Sequence, residues 1–512
     1  MKNYIFFITF IVISFNLFSQ KYSKVKIFAN QEEIGKLLKE GIPVDHGQRK
    51  IGQYIINDIQ KLISLGYNFD VIINDVKKHY VTQNLDVNSE KNSACTNNSH
   101  ALYKVPDNFE LPSTYGGYYK YNEMLQELDR MSTLYPNLIS VKSPIHTFLT
   151  WENRPIYQIK ISNNPNTDDG DPMVLYSAIH HAREPMSMSQ LIFYMWYLLE
   201  NYNTNPEVKY LVDNTQMIFV PCLNPDGYIY NETQDPNGGG MHRKNRNPNI
   251  GSLNVGVDLN RNYGYGWGTT GISSDPDNDT YPGITAFSEP ESQAMRWLVQ
   301  NNPIRAALNA HTYGNMLLFP LGTLDNEFAA HHVYFQEISN HMTQYNHYNA
   351  TKSSNLYPAS GDSDDYMYMS DNGILSKDTV FAMTPEIGSS FWPARTEIIS
   401  TCQEMVFTNL GLAHMVHKYY VLKEEDPLII INSTGTFQHT IKKLGRQNGN
   451  ATVSIEPLTN IASVGAPVTY NLAILGVSNG SIPYTLNPSI QAGDTIKYLL
   501  KINDSKKPIV MR

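Results

Sequence analysis

Residues 113–423 of this 512-residue chain predict an α/β fold, a mostly parallel sheet covered by helices on both faces. Two observations carry the prediction. Apolar runs at 156–161, 173–179, 217–222, 306–309 and 380–383 have the length of buried strands. Helical patterns alternate with them. One spans 186–202, and another opens at Ser288-Glu289-Pro290-Glu291, where Ser288 and Glu291 have capping-box spacing.

The flanks have a different texture. Over 21–86, Val25-Lys26-Ile27-Phe28 alternates like a strand, and further strand-like runs are Tyr54-Ile55-Ile56 and 69–73. Ile34, Leu37 and Leu38, then Ile59, Leu62 and Ile63, fall at helical spacing. A small α+β module is expected there. Residues 87–112 are rich in Asn, Ser and charge without periodicity and read as a linker. Module, linker and large domain in that order suggest a prosegment. From 424 to 512, β-like runs at 428–431, 451–455, 468–474 and 495–502 are separated by Gly, Asn and Pro, the pattern of a small β-sandwich.

Composition narrows the class. A hydrophobic fraction of 41% and a charged fraction of 17% suit a globular protein, and 512 residues exceed one core. Net charge −9 argues against a nucleic-acid partner, which needs a basic face. The start, Met1-Lys2-Asn3 followed by an apolar run, has the plan of a signal peptide over 1–20 and is short for a membrane span. Export without lasting membrane insertion is expected. Three cysteines, Cys95, Cys222 and Cys402, cannot make a complete disulfide framework.

The chemistry begins at His180-His181-Ala182-Arg183-Glu184, directly after the run 173–179. Imidazole and carboxylate at the end of a strand sit where open α/β sheets build sites. They are ligands that Zn²⁺ accepts, three at a time with water in the fourth place. His181 and Glu184 stand as H-x-x-E, and Asn309-Ala310-His311 offers a third donor at the end of a later run. Phe381-Ala382-Met383-Thr384-Pro385-Glu386 ends another run on a carboxylate. Between them lie Met241-His242-Arg243-Lys244 and Gly256-Val257-Asp258-Leu259-Asn260-Arg261-Asn262.

In order, spacing and identity these segments resemble the zinc metallocarboxypeptidases of the carboxypeptidase A, B and T kind, over about 113–423. The resemblance implies an α/β/α domain with a mixed eight-stranded sheet, a prosegment before it, and one catalytic Zn²⁺. Carried over position by position, His181, Glu184 and His311 match the zinc ligands, with His181 rather than His180 in register. Asp258 matches the carboxylate that orients a ligating imidazole, Glu386 the general base, and Arg243 the arginine that polarises the scissile carbonyl. Asn260, Arg261 and Tyr357 match the group that holds and covers the substrate's terminal carboxylate, and Arg183 a further substrate-binding arginine. His242 replaces an aromatic residue common in the family beside that carbonyl-polarising arginine.

Independent chemistry agrees. Peptide hydrolysis needs a nucleophile at neutral pH, a proton carrier and a fixed charge for the oxyanion. An exopeptidase must also read a free carboxylate, which the planar fork of Arg261 suits. Asp364 falls where the B type has an acid, and Asp362 resembles one in the T type, so basic C-terminal residues are the expected preference. Asp275-Pro276-Asp277-Asn278-Asp279 has alternate acids but no closing glutamate, so a solvated loop is expected there rather than a Ca²⁺ site. The expected partners are peptides with free C-termini. The rival readings are a peptidase acting on unusual cell-wall amide tails and a catalytically silent peptide-binding scaffold.

Overall fold

The computed structural model describes residues 21–84 except 43, 45, 46 and 49–51, residues 102–369 except 324 and 325, residues 377–504 except 428, and residues 507–510. The expected signal peptide and most of the expected linker, with Cys95, lie outside the described residues.

The N-terminal module is an α+β unit, as its alternation predicts. Strands β1 (Ser23–Ile27), β2 (Gly47–Gln48), β3 (Gln53–Ile56) and β4 (Phe69–Ile73) form an antiparallel sheet in the order β2-β3-β1-β4. In helices α1 (Gln31–Lys39) and α2 (Ile59–Ser64), Ile34, Leu37 and Leu62 are buried, whereas Ile63 is exposed. A third helix, α3 (Val76–Thr82), was not expected. It starts at Asp75, whose carboxylate accepts from the Lys78 N–H at 3.0 Å. Tyr22, Ile55, Val76 and Tyr80 pack into the core of the large domain rather than the module's own.

The large domain opens with α4 (Tyr121–Leu134) and builds on strands β5 (Ser143–Leu149), β6 (Pro155–Ile161), β7 (Met173–Ala178), β8 (Gln216–Val220), β9 (Ile304–Ala310), β10 (Met316–Phe319), β11 (Asn349–Lys352) and β12 (Phe381–Glu386). They make one mixed sheet in the order β11-β10-β12-β9-β7-β8-β6-β5. The central four, β12, β9, β7 and β8, run parallel. Every residue of β7 and of β12 is buried, which is why both read as continuous apolar runs. Along β7 the two faces alternate. Val174, Tyr176 and Ala178 join one core and Met173 and Leu175 the other, so both sides of the sheet are covered.

Among the described residues seven α-helices follow α4: α5 (Pro185–Asn201), α6 (Pro206–Asn214), α7 (Pro225–Gln234), α8 (Pro290–Asn301), α9 (His332–Met342), α10 (Ser363–Met369) and α11 (Arg395–Met415). The first core takes α5, α9 and α11, and the second takes α8 and α10. The expected capping box on α8 does not form. Pro290 takes the first helical position and Glu289 the cap, one residue later than the spacing suggests. Ser288 Oγ then donates to Glu289 Oε1 at 2.7 Å, while Glu291 accepts from Asn245 Nδ2 at 3.0 Å.

The C-terminal unit is a β-sandwich. Its strands are β13 (Tyr420–Glu424), β14 (Thr434–Lys443), β15 (Ala451–Thr459), β16 (Ile461–Val464), β17 (Val468–Tyr470), β18 (Val477–Leu486), β19 (Lys497–Asp504) and β20 (Lys507–Val510). They form sheets β13-β14-β18-β16 and β17-β15-β19-β20, enclosing Phe437, Ile441, Val453, Ile482 and Ile502. The sandwich therefore begins at Tyr420, inside the span expected for the catalytic domain. The run 428–431 is not a strand: Ile429 and Ile431 are 75% and 88% exposed, in the connection between two strands that pair directly with each other. Among the described residues no helix is long and apolar enough to cross a membrane.

Candidate active site

Parallel neighbours finish at one edge of the sheet, and the site is assembled there. After β7 the chain turns at Ile179, where φ is +56°, and delivers His180 to Glu184 before Pro185 starts α5. His311 directly follows β9, and Glu386 is the last residue of β12. The two are bridged through the backbone: His311 N–H donates to Pro385 O and Ile387 N–H to His311 O, each at 2.9 Å.

Three buried donors converge there. Glu184 Oε1 lies 2.7 Å from His181 Nδ1, its Oε2 lies 3.0 Å from His311 Nδ1, and the two Nδ1 atoms are 3.1 Å apart. All the donor atoms fall within 4.8 Å of one another, and this is the one such group among the described residues. Two ring nitrogens so close cannot both present protons to each other. Two imidazoles and one carboxylate facing a common point suit Zn²⁺ in number and kind. Burial, then the Arg243 guanidinium, pushes His181 down to about 4, so the ring is neutral at neutral pH and able to ligate. Burial works to raise Glu184, but the two imidazoles hold it well below its ordinary range.

Asp258 stands behind this group. Its Oδ1 is 3.1 Å from His181 Nε2, and its Oδ2 accepts from Arg243 Nε and a terminal nitrogen at 3.1 and 2.8 Å. Burial opposes ionisation there, and Arg243 and His181 together overcome it, leaving Asp258 well below the ordinary range. His180 belongs elsewhere. Its Nε2 is 2.9 Å from the Tyr263 hydroxyl and its ring stacks on that of His311, and it is His181 that joins Glu184 and His311 in the group of converging donors.

The expected carboxylate-reading residues also come together. Arg261 donates to Gly271 O at 2.9 Å and Asn260 O at 2.7 Å, which aims the fork, and reaches the Tyr357 hydroxyl at 3.3 Å. Asn260 Oδ1 accepts from Ser363 N–H at 2.9 Å. Gly361 makes this packing possible. Its φ is +70°, and a Cβ there would lie 2.3 Å from Arg261 O. Arg183 pairs with Asp279 at 2.8 Å and lies over the Phe391 ring at 4.4 Å.

Neither Asp362 nor Asp364 points to solvent. Asp364 accepts from Asn309 Nδ2 at 2.8 Å and from Thr384 Oγ1 at 2.6 Å, and burial, then Asp362, raises it to about 7. Asp362 Oδ1 accepts the Asp365 N–H at 2.9 Å, and its Oδ2 is buried with no hydrogen-bond partner among the described residues. Three residues of this region escaped the sequence reading: Asn309, Thr384 and Asp365. The first two stand two places before His311 and Glu386, on the same face of their strands. Asp365 accepts the Gly322 N–H and the Thr323 hydroxyl, which steadies the opposite loop.

In the loop 275–279 the acids are engaged with the protein. Asp277 Oδ1 accepts the N–H groups of Ser252, Leu253 and Asn254, Asp279 sits between Arg183 and Asn254, and Lys244 Nζ donates to Pro276 O and Asn278 O.

Fold and site together define a metallohydrolase with a His-Glu-His centre on the carboxyl edge of a mixed α/β sheet. Residues 124–408, more than half the chain, match the zinc carboxypeptidase family, and the chain belongs to it. It is a zinc metallocarboxypeptidase, a hydrolase. Human carboxypeptidase B is 32% identical over 304 residues, 57% of this chain and 69% of that protein. A zinc carboxypeptidase of Saccharothrix mutabilis subsp. capreolus is 30% identical over 308 residues, 57% of this chain and 68% of that one. The crystal structure of carboxypeptidase A from Helicoverpa armigera shares the fold with a TM-score of 0.59 at 22% identity, covering 77% of this chain and 97% of that one.

Proposed function

We propose that the protein removes the C-terminal residue of peptides, favouring basic ones, with His181, Glu184 and His311 holding the zinc and Glu386 acting as general base. The observation that supports this most is the placement of Glu386 beside His311 across a backbone bridge, at the edge where the three donors converge. Zinc held by these three residues would supply Lewis-acid activation of a water, bringing its pKa to about 7. Glu386 takes the proton of the attacking water and returns it to the leaving amine. Arg243, fixed by Asp258, steadies the oxyanion. Arg261 and Asn260 hold the terminal carboxylate, Tyr357 covers it, and Arg183 binds further along the peptide. Asp362 and Asp364 supply negative charge for a basic side chain.

The N-terminal module is read as a prosegment. Its Tyr22 and Tyr80 lie within the electrostatic reach of Arg183. Gln83 Nε2 donates to Trp392 O at 2.9 Å, and Asn84 Oδ1 accepts from Arg395 N–H at 2.8 Å, tying the module to the catalytic domain. Export through the segment 1–20 completes the reading.

Glu386→Gln tests it. Release of the terminal residue is expected to fall by about 10²- to 10⁴-fold, with zinc content and peptide binding retained. Undiminished release would sink the assignment of Glu386. Absence of release by the zinc-loaded, processed wild type would favour the silent scaffold or the cell-wall-tail enzyme instead.

A further inference from the structure

The segments that carry Arg243 and Asp258 are neither helix nor strand, yet their ion pair is fully buried. One side chain fastens them to each other and to the rest of the domain. Asn245, fully buried, stands two residues past Arg243. Its backbone N–H donates to Val257 O at 3.0 Å, and its side-chain Oδ1 accepts from the Val257 N–H at 2.8 Å. Val257 adjoins Asp258 in the chain, so this pairing fixes the spacing of the two segments. Gly256 permits the approach, because a Cβ there would lie 2.0 Å from Asn245 O. On its other side the amide meets the start of α8, where Nδ2 donates to Glu289 Oε2 at 2.8 Å and Glu291 Oε2 at 3.0 Å.

Only an amide does both tasks at this size: aspartate lacks the donor, and leucine lacks donor and acceptor alike. We propose that Asn245 is a positioning residue for the reaction, clamping the Arg243 and Asp258 segments together and anchoring them on the carboxyl groups of Glu289 and Glu291 at the start of α8, so that the Arg243 guanidinium stays at its working position. The inference rests on the reading of Arg243 as the group that steadies the oxyanion. Glu289 is held in place by other donors, Trp151 Nε1 at 2.8 Å and Asn247 Nδ2 at 3.1 Å, so the anchor itself is fixed.

The test compares Asn245→Asp, the double variant Asn245→Asp with Glu291→Gln, and Arg243→Met, each as the full chain processed within residues 87–112. In Asn245→Asp three carboxyl groups meet where one amide had served two. A displacement of about 1 Å at a catalytic group costs on the order of 100-fold in rate. The expected result is a kcat about 10- to 100-fold lower on a C-terminal Phe peptide, with KM and bound zinc unchanged. Glu291→Gln returns an amide donor opposite the introduced carboxylate, and the double variant should regain most of the lost kcat. Unchanged kcat in Asn245→Asp, a parallel loss of zinc, or no recovery in the double variant would each overturn the inference. If Arg243→Met leaves kcat intact, the reading of Arg243 fails and takes the inference with it. If Arg243→Met loses kcat while Asn245→Asp does not, only the inference fails. Should Asn245→Asp not fold, Asn245→Ser, which cannot bond both sides at once, carries the same comparison.

Discussion

Replacing Asp362 by Asn should change which terminal residues are removed without changing the chemistry. The structure distinguishes the two acids proposed for the side-chain pocket by their hydrogen bonds. Both oxygens of Asp364 are engaged, by Asn309 and Thr384, whereas Asp362 has a buried Oδ2 that no group among the described residues satisfies. A cationic side chain entering this region would give that oxygen a charge-assisted hydrogen bond. Such a bond contributes about 2 kcal/mol, and each 1.4 kcal/mol is a factor of ten. Asp362→Asn should therefore lower kcat/KM for a C-terminal Arg peptide by about 30-fold, while a C-terminal Phe peptide changes little. The assay is paired hydrolysis of the two peptides by the processed enzyme. A pH series adds an independent arm. Asp364, raised to about 7, is neutral below that pH and negative above it, so KM for the Arg peptide should fall as pH rises through about 7. Equal effects on the Arg and Phe peptides, or a wild type that cleaves both equally well, would refute the pocket argument.

Further outcomes follow from the same geometry. His181→Ala should abolish zinc binding measured by metal analysis, whereas His180→Ala, whose ring faces Tyr263, should retain the metal. Glu291 is raised to about 8 by burial, then by Glu289. A carboxyl whose folded pKa lies above its unfolded value of about 4.3 contributes stability that is present at low pH and is lost as pH rises toward the folded value. Between pH 6 and 9 the wild-type Tm should therefore fall relative to that of Glu291→Gln, and parallel Tm curves would count against a neutral Glu291. Cleavage within residues 87–112 should raise peptidase activity as the N-terminal module leaves, followed by gel filtration and by chelator-sensitive release of the terminal residue. Full activity in the uncut chain would remove the prosegment reading.

Much of the site was legible in the chain because its chemistry is carried by short segments at strand ends. H-x-x-E after the strand-like run 173–179 already names two donors and places them at a sheet edge. The continuous runs of β7 and β12 announced burial on both faces, hence helices on both sides. Strand β11, the polar Asn349-Ala350-Thr351-Lys352 at the far edge of the sheet, left no comparable signal, and neither did α3, which depends on one aspartate cap. The capping box on α8 failed because Ser288 and Glu291 each had a buried long-range partner, Asn262 for the one and Asn245 for the other. Spacing alone cannot register such a partner.

What the sequence by itself determined was the set of reactive groups and the elements that deliver them. Hydrophobic periodicity and residue identity are local properties, and they survive reading one segment at a time. What only the tertiary structure decided was which oxygen and which nitrogen face one another. His181 and His311 are 130 residues apart and meet at 3.1 Å. Asp364 is tied to Asn309 and Thr384 while Asp362 keeps a buried oxygen without a partner among the described residues. Asn245 links two irregular segments to a helix. The physical reason is that burial and hydrogen-bond satisfaction belong to the packed chain as a whole, and no single segment carries them.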